Sequence, residues 1–148
     1  MRFMMVFKAS DESEAGQNPS EKSLTEMGRV MAEMAEKGIL LAGEGLLPSS
    51  KGFRLELNAG KQRVVDGPFT ETKELIAGFC LIEVASREEA IEWGWRCMAA
   101  DDSNSGGALE IRQVATADDF GGEYTPEARA RDEATWDKAA ENYQSSNT

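Results

Sequence analysis

The stretch VVDGPFTETKELIAGF, residues 64–79, decides how this 148-residue chain folds. It leaves one β-strand, passes through Asp66, Gly67, Pro68 and Phe69, and enters IAGFCLIEV (residues 76–84), the strongest strand signal in the chain. Asp, Gly and Pro together carry tight-turn chemistry: an acid able to bond backbone amides, a permissive glycine and a fixed φ. The strand that follows is apolar on both alternation faces apart from Glu83, which predicts a central strand covered on both sides.

Upstream of the turn, FRLEL (residues 53–57) alternates cleanly, and Asn58, Ala59 and Gly60 lead it back through residues 61–66 as a hairpin. RFMMVFK (residues 2–8) is a second strand apolar on both faces, and ILLAGEGLL (residues 39–47) reads as a strand or strand edge in which Gly43 and Gly45 suggest a bulge or close backbone approach. Between these two lies the loop SDESEAGQN (residues 10–18), followed by a helix opening at Pro19 and Ser20, with Ser23 and Glu26 as an alternative capping box. Leu24, Met27, Met31 and Met34 recur on one face of that helix, which runs to about Lys37, and Gly38 suits its C-terminal cap. Ser86 and Glu89 cap a second helix that carries Ala90, Ile91, Gly94 and Met98 on its apolar side, with Trp93 and Trp95 flanking it. LEIRQV (residues 109–114) is the last strand.

This order predicts an α+β fold: a ferredoxin-like antiparallel βαββ(β)αβ sheet with two helices on one face. The other face then needs cover, and the same face of a second subunit is the simplest, giving a homodimer. Residues 1–117 form the domain. Residues 118–148 are an acidic extension, with eight acids against three bases, a helix from Pro126 to about Glu141 and a disordered QSSNT end.

With 16 Lys plus Arg against 27 Asp plus Glu, the formal charge is -11, which disfavours nucleic acid and anionic membrane surfaces as partners. No apolar run reaches the length of a membrane span and no signal-peptide pattern precedes the fold, so the expected location is cytoplasmic. Cys80 and Cys97 lie in apolar elements and read as free core thiols. The chain has no histidine. That excludes His-ligated metal, a His general base and Ser-His or Cys-His nucleophiles. AGEGLL is not a phosphate-binding glycine loop, and Asp101 and Asp102 lack metal-ligand spacing and read as solvated, so neither metal nor cofactor is expected.

The blocks LLAGEGLLP (residues 40–48), VVDGPFTETKELIAGFCLIEV (residues 64–84), EEAIEW (residues 88–93) and ALEIRQV (residues 108–114), with the opening RFMMVFK, resemble the DGPF-motif proteins of the YCII-related group. The resemblance covers about residues 1–117. It implies a dimeric α+β barrel, kinship with muconolactone-isomerase-like enzymes and a lactone dehalogenase, and in some members a role as companions of bacterial sigma factors. It also implies a His-Asp active-site pair, of which this chain matches only Asp66.

Two function classes follow. In the first, Asp66 is a general acid or base beside an apolar pocket, and Glu44, Phe69, Glu71, Lys73 and Arg112 contact a small acidic or carbonyl-containing substrate. In the second, the same pocket binds a ligand without turnover, or the chain is a regulatory or protein-interaction module. The bare residues also admit a plain turn: Asp66 bonding turn amides, Glu71 and Lys73 solvated, and Phe69 anchoring the loop.

Overall fold

A computed structural model describes residues 1–71, 74–102 and 107–146. In chain order the elements are β1 (Arg2–Lys8), α1 (Asp11–Glu14), α2 (Glu21–Glu36), β2 (Leu40–Gly45), β3 (Phe53–Asn58), β4 (Lys61–Asp66), β5 (Ile76–Glu83), α3 (Arg87–Ala100), β6 (Leu109–Gln113) and α4 (Pro126–Ser146). Two compact units divide them, residues 1–114 and residues 115–148.

The first unit holds an antiparallel four-stranded sheet in the order β2-β5-β1-β6. The β3–β4 hairpin between its second and third strands forms a separate two-stranded ribbon. Without the ribbon, the order is that of a ferredoxin-like α+β sheet. The two strands read as apolar on both faces, β1 and β5, are its two central strands.

Register assigns the faces. Phe3 lies opposite Ile82 and Met5 opposite Cys80, and these side chains form the core with Val30 and Met34 of α2 and Ala90, Trp93 and Cys97 of α3. Met5, Met34 and Ile82 are fully buried, each adding roughly 1.5–3 kcal/mol of hydrophobic stabilisation. The opposite face carries Met4 against Leu81 and Val6 against Phe79. Met4 is 37% exposed, while Val6, Phe79 and Leu81 are half-buried.

Several local expectations are corrected. Residues 10–18 are not all loop: Ser10 and Ser13 bond each other's backbone reciprocally and nucleate the single turn of α1. The expected opening of α2 at Ser20 holds, with Ser20 and not the alternative Ser23 as its cap, and Gly38 follows it with φ 69° as its C-terminal cap requires. Leu24, expected on the apolar face of α2, is 59% exposed. Trp93 is buried and Trp95 is 65% exposed, since residues two apart on a helix point to nearly opposite sides. The irregularity of β2 falls between Leu40 and Ala42, ahead of its glycines. The other reading of these glycines, close backbone approach, holds at Gly43, where a Cβ would lie 3.2 Å from Cys80 Cβ, and at the facing Gly78, where one would lie 2.8 Å from the Glu44 carbonyl oxygen.

In the second unit, Thr116 and Asp119 cap a short helical segment, Ala117–Glu123. Arg129 reaches Asp118 at 3.1 Å, and the Tyr124 hydroxyl donates to Asp132 at 2.8 Å. The helix α4 runs five residues past the expected Glu141, so Gln144, Ser145 and Ser146 of the expected disordered end are helical; the last two residues of that segment lie outside the described residues.

Candidate functional site

The Asp66–Phe69 turn is built by close backbone approach. Gly67 donates its N–H to the Gly52 carbonyl at 2.9 Å, and a side chain here would overlap the Ser49 carbonyl. Only glycine fits such a contact. The Gly67–Pro68 peptide is cis, and Phe69 donates its N–H to the Ser49 hydroxyl oxygen at 3.0 Å. Ser49 in turn gives its own N–H, at 3.0 Å, and its hydroxyl proton to the Glu14 carboxylate of α1. Above the turn, the Arg54 guanidinium stacks 3.8 Å from the centroid of the Phe69 ring. The half-buried Phe69 therefore anchors the loop, and the turn fastens the ribbon to Ser49 and α1.

Asp66 ends β4 opposite Phe53 and is exposed. Glu44 is exposed on β2, opposite Phe79. Arg112 is exposed on β6, opposite Met4, with its Nε 3.9 Å from Glu110. β2 and β6 are opposite edges of the sheet, about 14 Å apart at the usual strand spacing, so Glu44 and Arg112 do not meet within one chain. Glu71 is exposed, and Lys73 lies outside the described residues.

A cleft of about 530 Å³ opens elsewhere in the first unit, and none of those six residues lines it. It sits where the end of β1, the first turn of α2, the end of α3 and the start of β6 converge. Phe7, Met27, Met98 and Leu109 form apolar walls. At its polar end lies Asp102, exposed as the sequence reading expects but held in a hydrogen-bond cluster that the sequence does not announce. The Ser23 hydroxyl donates to Asp102 Oδ1 at 2.6 Å, the Ser20 hydroxyl reaches both oxygens at 2.9 and 2.8 Å, and the Asp102 N–H donates back to Ser23 Oγ at 3.0 Å. Ser23 is one of the few buried polar side chains, and this exchange satisfies it. The pairing of Ser20 and Ser23 one turn apart was visible in the sequence; its partner 79 residues away was not.

The electrostatics follow from these bonds. Hydrogen bonds from Ser23 and then Ser20 hold the Asp102 carboxyl below the usual carboxylate range, so it is anionic at neutral pH. Cys97, also in the cleft wall, is pushed up to about 11 by burial, and Cys80 to about 12. Both remain thiols at neutral pH. Across the helices, Arg96 and Lys37 hold Glu33 down to about 2, and the Arg96 guanidinium also lies 4.3 Å from the Trp93 ring centroid. That network joins α2 to α3. Among the described residues no group of three or more Cys, Asp or Glu side chains is placed to hold a metal ion, and no helix is long and apolar enough to cross a membrane.

Comparison with known proteins agrees with the fold. Over 95 residues the chain is 37% identical to an uncharacterized protein of Rhizobium meliloti (strain 1021), an alignment that spans 64% of this chain and 75% of that protein. The model of the YCII-related domain matches residues 1–118, taking in the four-stranded sheet, helices α2 and α3, the ribbon and the cleft. The chain belongs to the YCII-related domain family.

Proposed function

We propose that this chain is a small-molecule-binding module that works as a homodimer, its ligand held in the cleft between the start of α2 and the end of α3. The observation that carries this reading is the pairing of apolar walls with the Asp102 carboxylate, oriented by Ser20 and Ser23, in a cleft whose rim also carries Lys8, Glu12 and Asp101. Binding clefts of this size combine an apolar lining with a few placed polar groups. A carboxylate is acceptor-only and has about four lone-pair positions, so room remains for a donor from the ligand. The ligand class is therefore an apolar body with an amine or hydroxyl head.

Support for turnover is weaker. Asp66 is exposed, which withholds the dehydrated setting that proton transfer by a carboxylate calls for. An acid–base enzyme centred on Asp66, with Glu44, Phe69, Glu71, Lys73 and Arg112 around an acidic or carbonyl substrate, is thus the second reading. The homodimer rests on the sheet face bearing Met4, Val6, Phe79 and Leu81, apolar and opposite the helices.

A fragment screen of alkyl and aryl amines and alcohols, followed by amide NMR, tests the cleft. Shifts centred on Ser20, Ser23 and Asp102, weakened at least tenfold in affinity by Asp102→Asn and unchanged by Asp66→Asn, are expected. Shifts centred on Asp66 and Phe69, or none from any fragment, overturn the assignment.

A further inference from the structure

We propose that Glu14 and Ser49 are positioning residues for the cleft: they latch its outer wall to the turn at residues 66–69, so that occupancy of the cleft and the order of that turn are coupled. The inference rests on the cleft being a binding site and names the bonds that set its shape.

The wall in question is residues 8–20, which run from the end of β1 to the start of α2. Ser10, Glu12, Ser13 and Gln17 of this segment line the cleft. Its helix is the four-residue α1, far below the length at which a helix stands alone in water. Order here must therefore come from bonds to the rest of the domain. At the near end Ala9 donates its N–H to the Leu75 carbonyl at 2.9 Å, and at the far end the Ser20 hydroxyl meets Asp102. Midway stands Glu14. It is half-buried where Asp11 and Glu12 of the same turn are exposed, because residues two apart on a helix point to nearly opposite sides. Glu12 turns to the cleft and Glu14 to Ser49.

Ser49 joins the wall to the turn through a single side chain. The Glu14 carboxylate accepts the Ser49 N–H at 3.0 Å and also its hydroxyl proton. A serine hydroxyl has one proton to give, so toward its other neighbour Ser49 Oγ can only accept, and it accepts the Phe69 N–H at 3.0 Å. The rotamer that serves Glu14 is thus the one that presents a lone pair to Phe69, and bonds in such a chain strengthen each other. The Ser49 backbone closes the same joint: its carbonyl occupies the space a Cβ on Gly67 would need, and Gly67 bonds the Gly52 carbonyl at 2.9 Å. A guest that orders the wall from the cleft side therefore favours the closed latch, and by linkage the closed latch favours the guest. The turn then serves the cleft without any proton transfer by Asp66.

Amide hydrogen exchange of the full chain, with and without benzylamine as the probe, tests this in Ser49→Ala, Ser49→Thr and Glu14→Ala. Without the amine, both alanine variants should speed exchange at residues 14–17 at least tenfold and leave β1, β5 and α3 unchanged. Glu14→Ala should also speed the Phe69 amide, which Glu14 does not touch, and Ser49→Thr, which keeps a hydroxyl, should match wild type. Benzylamine should slow Phe69 exchange in wild type but not in Ser49→Ala, and each alanine variant should bind it at least threefold more weakly. Faster exchange confined to residues 67–69 in Ser49→Ala, or an unchanged Phe69 amide in Glu14→Ala, overturns the latch. Equal benzylamine affinity in wild type and both alanine variants overturns the positioning role. A wild type that does not bind benzylamine counts against the ligand reading alone, and the exchange differences in the free proteins then decide the latch. Should Ser49→Ala lose its fold, Glu14→Ala decides, since it leaves the turn's own bonds in place.

Discussion

The chain builds two antiparallel sheets from alternating apolar side chains, and they meet opposite circumstances. In β1 and β5, Met5, Cys80 and Ile82 are sealed beneath two helices. In β3 and β4, Phe53, Leu55, Leu57 and Val64 stand in solvent. The contrast teaches that alternation fixes which face of a strand is apolar while leaving open what covers it. For the four-stranded sheet the cover is written into the same chain, because α2 and α3 follow its strands with apolar stripes of their own. For the ribbon no helix intervenes: β3 returns directly as β4 through Asn58, Ala59 and Gly60.

The largest effect that could break this contrast comes from truncation. Ile82→Ala should lower unfolding free energy by about 2–5 kcal/mol through transfer loss and cavity formation. Leu55→Ala, measured by urea denaturation at a concentration where the chain is monomeric, should stay within about 0.5 kcal/mol of wild type, as surface changes do. Equal losses at the two sites would mean that the ribbon is packed within its own chain. Next in size is Gly67→Ala, which forces a methyl group onto the Ser49 carbonyl and should cost about 1–3 kcal/mol. Limited proteolysis should then cut within residues 53–66 while the body persists; uniform loss of both would tie the ribbon's stability to the core's.

The smallest effect sharpens the comparison from the other side. Glu33, drawn down to about 2 by Arg96 and Lys37 from an ordinary 4.5, belongs to the α2–α3 network and not to the ribbon. A depressed carboxyl contributes stability that is complete above its unfolded value and fades as pH falls through the folded one. Wild type should therefore exceed Glu33→Gln in urea midpoint at pH 6, with the gap closing between pH 4.5 and 2. Hydrogen exchange in the ribbon should not respond to this substitution at all.

Most of the fold was legible because its signals are local. Strand alternation, serine caps and the glycine-bearing turns each state an element within a few residues, and the order of elements then leaves few ways to assemble them. Where legibility failed, the deciding contact was distant or lay between alternatives of equal local merit. Ser20 and Ser23 both had the chemistry of a cap; Ser20 takes that role by accepting the Ser23 N–H, and no local pattern announces that both hydroxyls also meet Asp102 beyond α3. Trp93 and Trp95 looked equivalent beside the stripe, yet helix rotation buries one and exposes the other. The turn at residues 66–69 advertised chemistry through Asp66, whereas its glycine answers to a backbone contact with Ser49 that no local pattern announces.

The Ser20–Ser23–Asp102 cluster carries one more consequence. Its two hydroxyls act as built-in competitors for the carboxylate that the ligand must reach, present at fixed geometry whether or not a guest arrives. A guest with a weak or misdirected donor would strip water from Asp102 and return little, and the serines would keep their place. Only a head group that adds a bond without evicting them gains from entry, so the cluster acts as a filter for donor strength and direction.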